Sequence, residues 1–128
     1  MKDKTFCTAI NCMDGRVQEP AIRYLKERYA VDFVDMITLP GPEKVLTDNG
    51  EESEKQHIRK CIAISVEKHG SALIGVFAHH DCAGNPASRE TKEVQVRKSA
   101  ALIKSWFPNT EVTGFYINEN WEVEPDSL

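Results

Sequence analysis

The chain has 128 residues, a length that corresponds to about one domain. Hydrophobic residues make up 41% and charged residues 28% of it, and these proportions exclude a disordered chain. The net charge of −4, with basic residues spread along the chain, argues against a nucleic-acid partner, because phosphate-binding domains usually carry a basic face. No apolar run approaches the roughly 18 residues needed to cross a bilayer, so we expect no membrane partner.

The N-terminal stretch and the cysteines bear on the cellular compartment. The sequence begins MKDKTFCTAINC, which has neither the apolar core nor the small-residue cleavage site of a signal peptide. We therefore expect a cytoplasmic protein in a reducing compartment. In such a compartment the four cysteines are thiols or metal ligands rather than disulfides.

In the first half of the chain, strand-like runs alternate with helical patterns. Residues 5–12 are rich in small and β-compatible side chains and predict a strand. A helix is expected over Gln18–Tyr29, where Pro20 falls in the first turn and apolar residues recur at helical spacing. A second strand at 32–39 ends at Pro40-Gly41-Pro42, because that loop cannot extend a ladder.

The second half continues the alternation. A polar segment at 47–55 leads into a longer helix. Residues 72–78 are almost wholly apolar, as expected for a central strand that is covered on both sides. A third helix is expected over 87–106, and residues 112–117 and 121–123 predict a final hairpin. The pattern as a whole predicts an α/β fold, with a mostly parallel sheet in one domain.

Reactive side chains follow two of the predicted strands. Cys12, Asp14 and Arg16 follow the first strand, and a second group follows the third, comprising His79, His80, Asp81 and Cys82. In open α/β sheets, ligands bind beyond the carboxyl ends of the strands, where the strand order reverses. If the first and third strands are neighbours in the sheet, the two groups meet.

Two cysteines and one histidine in such a cluster predict a zinc (Zn²⁺) site. Zinc favours thiolate and imidazole ligands, and catalytic sites use three protein ligands with one position open. Cys12 and Cys82 lie at strand ends among polar residues, which favours a role as ligands together with His79. Buried cysteines often only fill space, and this is the interpretation for Cys7 and Cys61. The remaining candidates are expected outside the site: His57 and His69 as solvated helix residues, and Trp106 and Trp121 in the core or an interface.

The two groups carry a family resemblance. Cys12-Met13-Asp14-Gly15-Arg16 resembles the C-x-D-[SG]-R motif of β-class carbonic anhydrases, and His79-His80-Asp81-Cys82-Ala83-Gly84 resembles their H-x-x-C-G motif. The likeness extends over most of the chain, roughly 5–124. It implies a three-layer domain over 1–128, with sheet order 2-1-3-4-5, a short antiparallel last strand and helices on both faces.

The resemblance also implies a function. The metal ligands would be Cys12, His79 and Cys82, and the catalytic residues would be Asp14 and Arg16. Asp14 would be either a fourth ligand or the hydrogen-bond partner of Arg16. The reaction implied is the reversible hydration of carbon dioxide to bicarbonate by a zinc-bound hydroxide, in a homodimer or larger homo-oligomer.

The chain departs from the family pattern in three places, one of which is the stretch between Cys82 and the fourth strand, shortened to about one helix. Only eleven residues precede Cys12, so we expect the family's N-terminal helical arm, which wraps a partner subunit, to be missing. Leu39-Pro40-Gly41-Pro42 stands where the family usually has R-N-A-G. We expect these departures to spare the metal ligands and to alter the substrate pocket.

Two other functions fit the same residues. The first is a zinc hydrolase of carbonyl sulfide or carbon disulfide, and the second is a zinc protein without catalytic activity. A thiol phosphatase is excluded, because its loop needs an arginine six residues after the cysteine and that position is Gln18. A redox pair of Cys12 and Cys82 lacks a C-x-x-C motif in its favour.

Overall fold

The computed structural model describes residues 4–47 and 50–128. Within them the strands are β1 (Phe6–Cys12), β2 (Phe33–Leu39), β3 (Leu73–His79) and β4 (Glu111–Ile117). The α-helices are α1 (Gln18–Tyr29), α2 (Pro42–Val45), α3 (Glu52–Ala63) and α4 (Arg89–Trp106). A 3-10 turn at Gly15–Val17 precedes α1, and a π-helical turn at Ile64–Lys68 continues α3. None of these helices is both long and apolar enough to span a membrane.

The strands form one parallel sheet in the order β2-β1-β3-β4. The chain places β2 on one side of β1 and then returns to place β3 on the other side. The strand order therefore reverses between β1 and β3, and this reversal creates the crevice in which α/β proteins bind ligands. The α/β class and the expected order of the first four strands are confirmed.

The expected fifth strand at 121–123 is wrong. In the part of the chain described, this stretch forms only a single antiparallel bridge between Ile117 and Val123. The Asn118 side-chain oxygen accepts hydrogen bonds from the backbone N–H groups of Asn120 and Glu122, at 3.0 and 3.3 Å. Trp121 adopts a left-handed backbone conformation with φ 60°. Both features produce a tight turn instead of an extended ladder.

The sheet separates two apolar cores. On one face the side chains of Ala9 and Phe77 pack with Ala21 and Leu25 of α1. On the other face, side chains from all four strands pack against α2, α3 and α4, including Ile10, Ile37, Val76, Tyr116, Leu46, Ile58, Ile62, Val96 and Ile103. Adjacent residues of one strand point to opposite faces, so β1 and β3 contribute to both cores. This gives the three-layer arrangement with helices on both faces that the sequence predicts.

Two helices differ from the sequence-based expectation. Helix α4 begins at Arg89 rather than at residue 87, because the Ser88 side chain caps it by accepting a hydrogen bond from the Thr91 backbone N–H at 3.2 Å. The short helix α2 occupies part of the stretch expected to be a loop after Pro40. Two residues of the expected polar segment 47–55, residues 48 and 49, lie outside the described residues, as do the first three residues of the N-terminal stretch.

Candidate metal centre

The ends of β1 and β3 bring two cysteines and one histidine together. Cys12 is the last residue of β1, His79 is the last residue of β3, and Cys82 follows three residues later. Their ligand atoms all lie within 4.8 Å of one another, and the two Sγ atoms are 3.8 Å apart. The three side chains are buried, with 4%, 1% and 3% exposure. Within residues 4–47 and 50–128, no other group of three or more such side chains could hold a metal ion.

One ring nitrogen of His79 has no hydrogen-bond partner. Its Nδ1 lies 2.7 Å from the backbone carbonyl oxygen of His80, which can only accept, so Nδ1 carries the proton and donates it. Nε2 is then an acceptor, and it is buried without a partner. A buried polar atom left unpaired is unfavourable by about 1–3 kcal/mol. An imidazole lone pair held beside two sulfurs by a backbone carbonyl is the donor set that zinc prefers.

The two thiols share a proton. The hydrogen bond from Cys82 is the largest cause that lowers the pKa of Cys12, to about 3. Burial opposes this shift, whereas the neighbouring His79 ring and the backbone N–H groups of Gly41 and Asp14 add to it. The same bond between sulfurs raises the pKa of Cys82 above its usual range. One thiolate therefore exists before any metal binds, and only one sulfur has to lose a proton.

The charge of the thiolate also acts on the histidine. Burial alone would lower the pKa of His79, but the adjacent Cys12 sulfur and the hydrogen bond to the carbonyl of His80 raise it. A neutral imidazole is needed to bind a metal, so acid opposes binding at this ligand.

Side-chain amides fix the backbone around Cys12. Asn11 accepts a hydrogen bond from the Cys12 backbone N–H at 3.0 Å and donates to the carbonyl of Val17 at 3.0 Å. Gln18 donates to the carbonyls of Cys12 and Asp14, at 2.6 and 2.8 Å. These bonds hold residues 11–14 against the start of α1. Cys12 is therefore buried, while Asp14 and Arg16 reach the surface.

A close backbone approach supports the second side of the site. Gly41 has a left-handed φ of 55°. A Cβ atom on Gly84 would lie 2.7 Å from Cβ of Pro40 and 3.0 Å from the backbone nitrogen of Gly41, so only glycine fits there. This contact brings the loop after β2 to the loop that carries Cys82, and it places the Gly41 N–H at Cys12. The role of this loop was not anticipated from the sequence.

Asp14 and Arg16 form a bidentate pair at the edge of the cluster. Arg16 Nη2 donates to Asp14 Oδ2 at 2.7 Å, and Nε donates to Oδ1 at 3.1 Å. The Arg16 backbone N–H also donates to Oδ1, at 2.9 Å. These bonds lower the pKa of Asp14 to about 2, so its carboxylate is ionised throughout the neutral range. In this arrangement Asp14 is held by Arg16 and is not part of the Cys-His-Cys group.

Trp121 is a site neighbour that the sequence analysis placed in the core or an interface. The Arg16 guanidinium lies 4.2 Å from the centre of its ring, a cation–π contact. The indole is also 6.4 Å from the His79 ring and 6.2 Å from the His80 ring, measured between centroids. The tight turn at 118–122 places the indole beside Arg16 and the two histidine rings. A left-handed non-glycine residue is strained, and such residues cluster at functional sites.

The other candidate residues lie apart from this cluster. Cys7 is fully buried in the apolar core, and burial raises the pKa of its thiol to about 11. Cys61 lies on α3, with its Sγ 3.7 Å from Nε2 of His57. His69 is more than a solvated helix residue, because its Nδ1 pairs with Asp35 at 2.7 Å and its ring stacks on Phe6.

Comparison with known proteins relates both the fold and the motifs to one family. The sequence model of a family described as "Putative carbonic anhydrase" matches residues 2–126. No curated protein matches. Among solved structures, the chain is similar to the carbonic anhydrase from Streptococcus mutans, with 19% identity, a TM-score of 0.62, and coverage of 91% of this chain and 79% of that one.

Two further structures show the same fold. The carbonic anhydrase from Glaciozyma antarctica is 17% identical, with a TM-score of 0.57 and coverage of 91% of this chain and 79% of that one. A β-carbonic anhydrase from Sordaria macrospora, described as tetrameric, is 11% identical, with a TM-score of 0.52 and coverage of 98% and 84%. At these identities the similarity establishes the fold, and the activity has to be argued from the site.

Proposed function

We propose that this chain, which belongs to the carbonic anhydrase family whose model spans residues 2–126, is a zinc enzyme that hydrates carbon dioxide reversibly to bicarbonate. The observation that carries the proposal is the buried, unpartnered Nε2 of His79 beside two sulfurs that lie 3.8 Å apart. Cys12, His79 and Cys82 would hold the ion, and three protein ligands would leave one position for chemistry. A zinc ion held there would supply the reactive group by lowering the pKa of a water molecule.

The role proposed for Arg16 is to keep Asp14 away from the metal. A carboxylate is itself a good zinc ligand, so a free Asp14 could close the open position. Arg16 engages both of its oxygens, and this planar, two-bond pairing is one that lysine cannot reproduce. Asp14 remains an ionised acceptor and can orient a hydrogen-bond donor next to the substrate.

Arg16 is itself held from two further directions. Its Nη2 donates to the carbonyl of Asp81 at 3.1 Å, and its Nη1 lies 3.3 Å from the Asp81 carboxylate. The Trp121 ring covers the guanidinium. These contacts fix the guanidinium between the loop after β3 and the turn after β4, so Asp14 is positioned by both sides of the crevice.

We infer that the protein forms a homodimer or a larger homo-oligomer. β2 is an edge strand, with β1 on one side and no strand on the other in the part of the chain described. Phe33 on this strand and Ile64 on the adjacent π-helical turn are 45% and 47% exposed. Pairing of two chains would cover both, and the Sordaria macrospora relative is described as tetrameric. Light scattering that shows only monomer at tens of micromolar, about the working range of such assays, would overturn this inference.

We also infer a cytoplasmic location. All four cysteines are free, and two of them face each other at 3.8 Å without a disulfide bond, which suits a reducing compartment. Subcellular fractionation with an antibody to the chain tests this inference, and recovery from an oxidising compartment would contradict it.

The function is tested by metal analysis together with stopped-flow hydration of carbon dioxide. We expect about one zinc per chain and turnover that rises with pH, because two thiolates donate charge and leave the water less acidic than an all-imidazole site would. Arg16→Ala should keep its zinc and lose turnover, since Asp14 is then free to bind the metal. Arg16→Lys should stay impaired.

Three outcomes separate the alternatives. A zinc-loaded protein that hydrolyses carbonyl sulfide but does not hydrate carbon dioxide is the related hydrolase. A zinc-loaded protein that turns over neither substrate is a non-catalytic zinc protein. If Arg16→Ala matches an active wild type at every pH, the proposed role of Arg16 is wrong while the proposed reaction stands.

A further inference from the structure

A buried lysine without an anionic partner lies beside the metal centre. Lys92 of α4 is 4% exposed, and its Nζ donates a hydrogen bond to the carbonyl of His79 at 2.9 Å. Among the residues that the structure describes, no carboxylate forms an ion pair with it. Buried charges are normally paired, because removing an ammonium group from water is strongly unfavourable. The ammonium has three N–H donors, so two remain for a ligand.

Lys92 lines a pocket large enough for such a ligand. The pocket has a volume of about 300 Å³, and Cys82, Ala87, Arg89 and Tyr116 also line it. A water molecule occupies about 30 Å³ in the liquid, so a small ion and several waters fit.

Two other features of the pocket favour an anion. Ala87 and Arg89 flank the start of the 18-residue helix α4, where backbone N–H groups lack intrahelical partners and carry partial positive charge. Tyr116 also lines the pocket, and its hydroxyl can donate a hydrogen bond to a ligand. Each of these donors is weak alone, but they occur in the same pocket as the buried ammonium.

The other charged groups of the pocket are already neutralised. Arg89 donates to Glu93 at 2.8 Å and to both carboxylate oxygens of Glu124, and its guanidinium lies over the Tyr116 ring. The Asp81 carboxylate pairs with Arg16. Lys92 is therefore the lining cation that no described carboxylate neutralises.

We propose that this pocket binds a small inorganic oxyanion through Lys92, the Tyr116 hydroxyl and the start of α4. Bicarbonate is such an anion, and its assignment rests on the proposed function. Inorganic phosphate has the same chemistry and probes the pocket independently. Lys92 also donates a hydrogen bond to the carbonyl of His79, and Cys82 lines the pocket. An anion bound there would therefore lie next to two residues of the candidate metal centre.

The test uses amide chemical shifts of the zinc-loaded, full-length protein labelled with nitrogen-15. Phosphate and bicarbonate are titrated separately at constant ionic strength. We expect saturable shifts for at least one anion, centred on residues 87–92 and on Tyr116. Lys92→Met should weaken this binding about tenfold or more, because it removes a charge-assisted hydrogen bond. Lys98→Met, which changes an exposed lysine of the same helix, should bind as wild type does.

A second variant keeps the test decisive if Lys92→Met does not fold. Ala87→Glu places a carboxylate in the pocket while it leaves the bond from Lys92 to His79 intact, and it should also abolish binding. The proposal is overturned if neither anion gives saturable shifts at these residues, or if Ala87→Glu and a folded Lys92→Met both bind as wild type does. Anion binding by a protein that does not hydrate carbon dioxide would refute the proposed function and leave the pocket in place.

Discussion

The shared proton of the cysteine pair predicts how zinc affinity depends on pH. In the metal-free protein, the bond between the sulfurs lowers the pKa of Cys12 to about 3 and raises that of Cys82. Zinc needs both sulfurs as thiolates and His79 as a neutral imidazole. Binding must therefore expel the proton of Cys82. Below the raised pKa of His79, it must expel a second proton from the ring.

The number of protons sets the size of the effect. Each proton released per ion makes the apparent affinity rise about tenfold for each pH unit, or about 1.4 kcal/mol. The affinity should thus rise about tenfold per unit above the pKa of His79, where only Cys82 is still protonated, and about a hundredfold per unit below it. The affinity rises with pH because the pKa values of Cys82 and His79 are both raised. Protons then compete with the metal for the same atoms.

Competition with a chromophoric chelator measures this dependence between about pH 6 and 8.5, a range that spans the titration of ordinary histidines. Cys61→Ser is the matched control, because its sulfur lies outside the cluster, and it should reproduce the wild-type slope. Cys82→Ser should bind zinc far more weakly. A wild-type affinity that does not change with pH would refute the proton-sharing argument, and full zinc content in Cys82→Ser would refute the ligand assignment.

Three further predictions concern other parts of the chain. Trp121→Ala should lower turnover about two- to fivefold at unchanged zinc content, because an exposed cation–π contact to Arg16 is worth about 0.5–1 kcal/mol. Gly84→Ala should lower the free energy of unfolding by about 1–3 kcal/mol, measured by denaturant titration, because its Cβ would overlap Pro40. Burial raises the pKa of Glu43 above 4.5, so its stabilising effect is present at low pH and is lost as pH rises through the raised value. Glu43→Gln should therefore gain stability relative to wild type between about pH 4.5 and 8 in thermal melts.

Each of these predictions has a control and a contrary outcome. Trp121→Phe keeps an aromatic face and should retain most of the turnover, so equal rates for wild type and Trp121→Ala would remove Trp121 from the site. Gly15→Ala meets no atom within 4 Å and should leave stability nearly unchanged. A stability difference between wild type and Glu43→Gln that is constant with pH would show that the carboxyl does not titrate in this range.

The strands, the first helix and the position of the cluster could be anticipated from the sequence. The apolar runs are broken by prolines and glycines, and α1 has the expected bounds, Gln18–Tyr29. Cys12 ends the first strand as predicted, and His79, expected directly after the third strand, is its last residue. Neighbouring parallel strands bring such ends together. The sequence did not show whether β1 and β3 are neighbours in the sheet, because that depends on how the helices pack on both faces.

Three features had no local signal in the sequence. Helix α2 starts at the second of two prolines, a pattern that also fits a loop. It forms because Pro42 occupies the first helical position, where no N–H is required. Trp121 reaches the site through a left-handed turn that its own side chain does not favour. Lys92 is buried although lysine usually lies at the surface, because its ammonium binds the carbonyl of His79.

The proposed chemistry depends on the different exposure of the ligands and of the Asp14–Arg16 pair. The three proposed ligands are at most 4% exposed, whereas the side chains of Asp14 and Arg16 are 20% and 45% exposed. Solvent can therefore exchange the partners of Asp14 far more easily than it can reach the sulfurs. A change that acts on Arg16 should accordingly alter turnover before it alters metal content, whereas loss of any ligand should alter both together. A scaffold kept only for zinc binding would have no need to hold Asp14 by four hydrogen bonds from Arg16. For this reason the comparison of Arg16→Ala with wild type tests the enzyme rather than the fold.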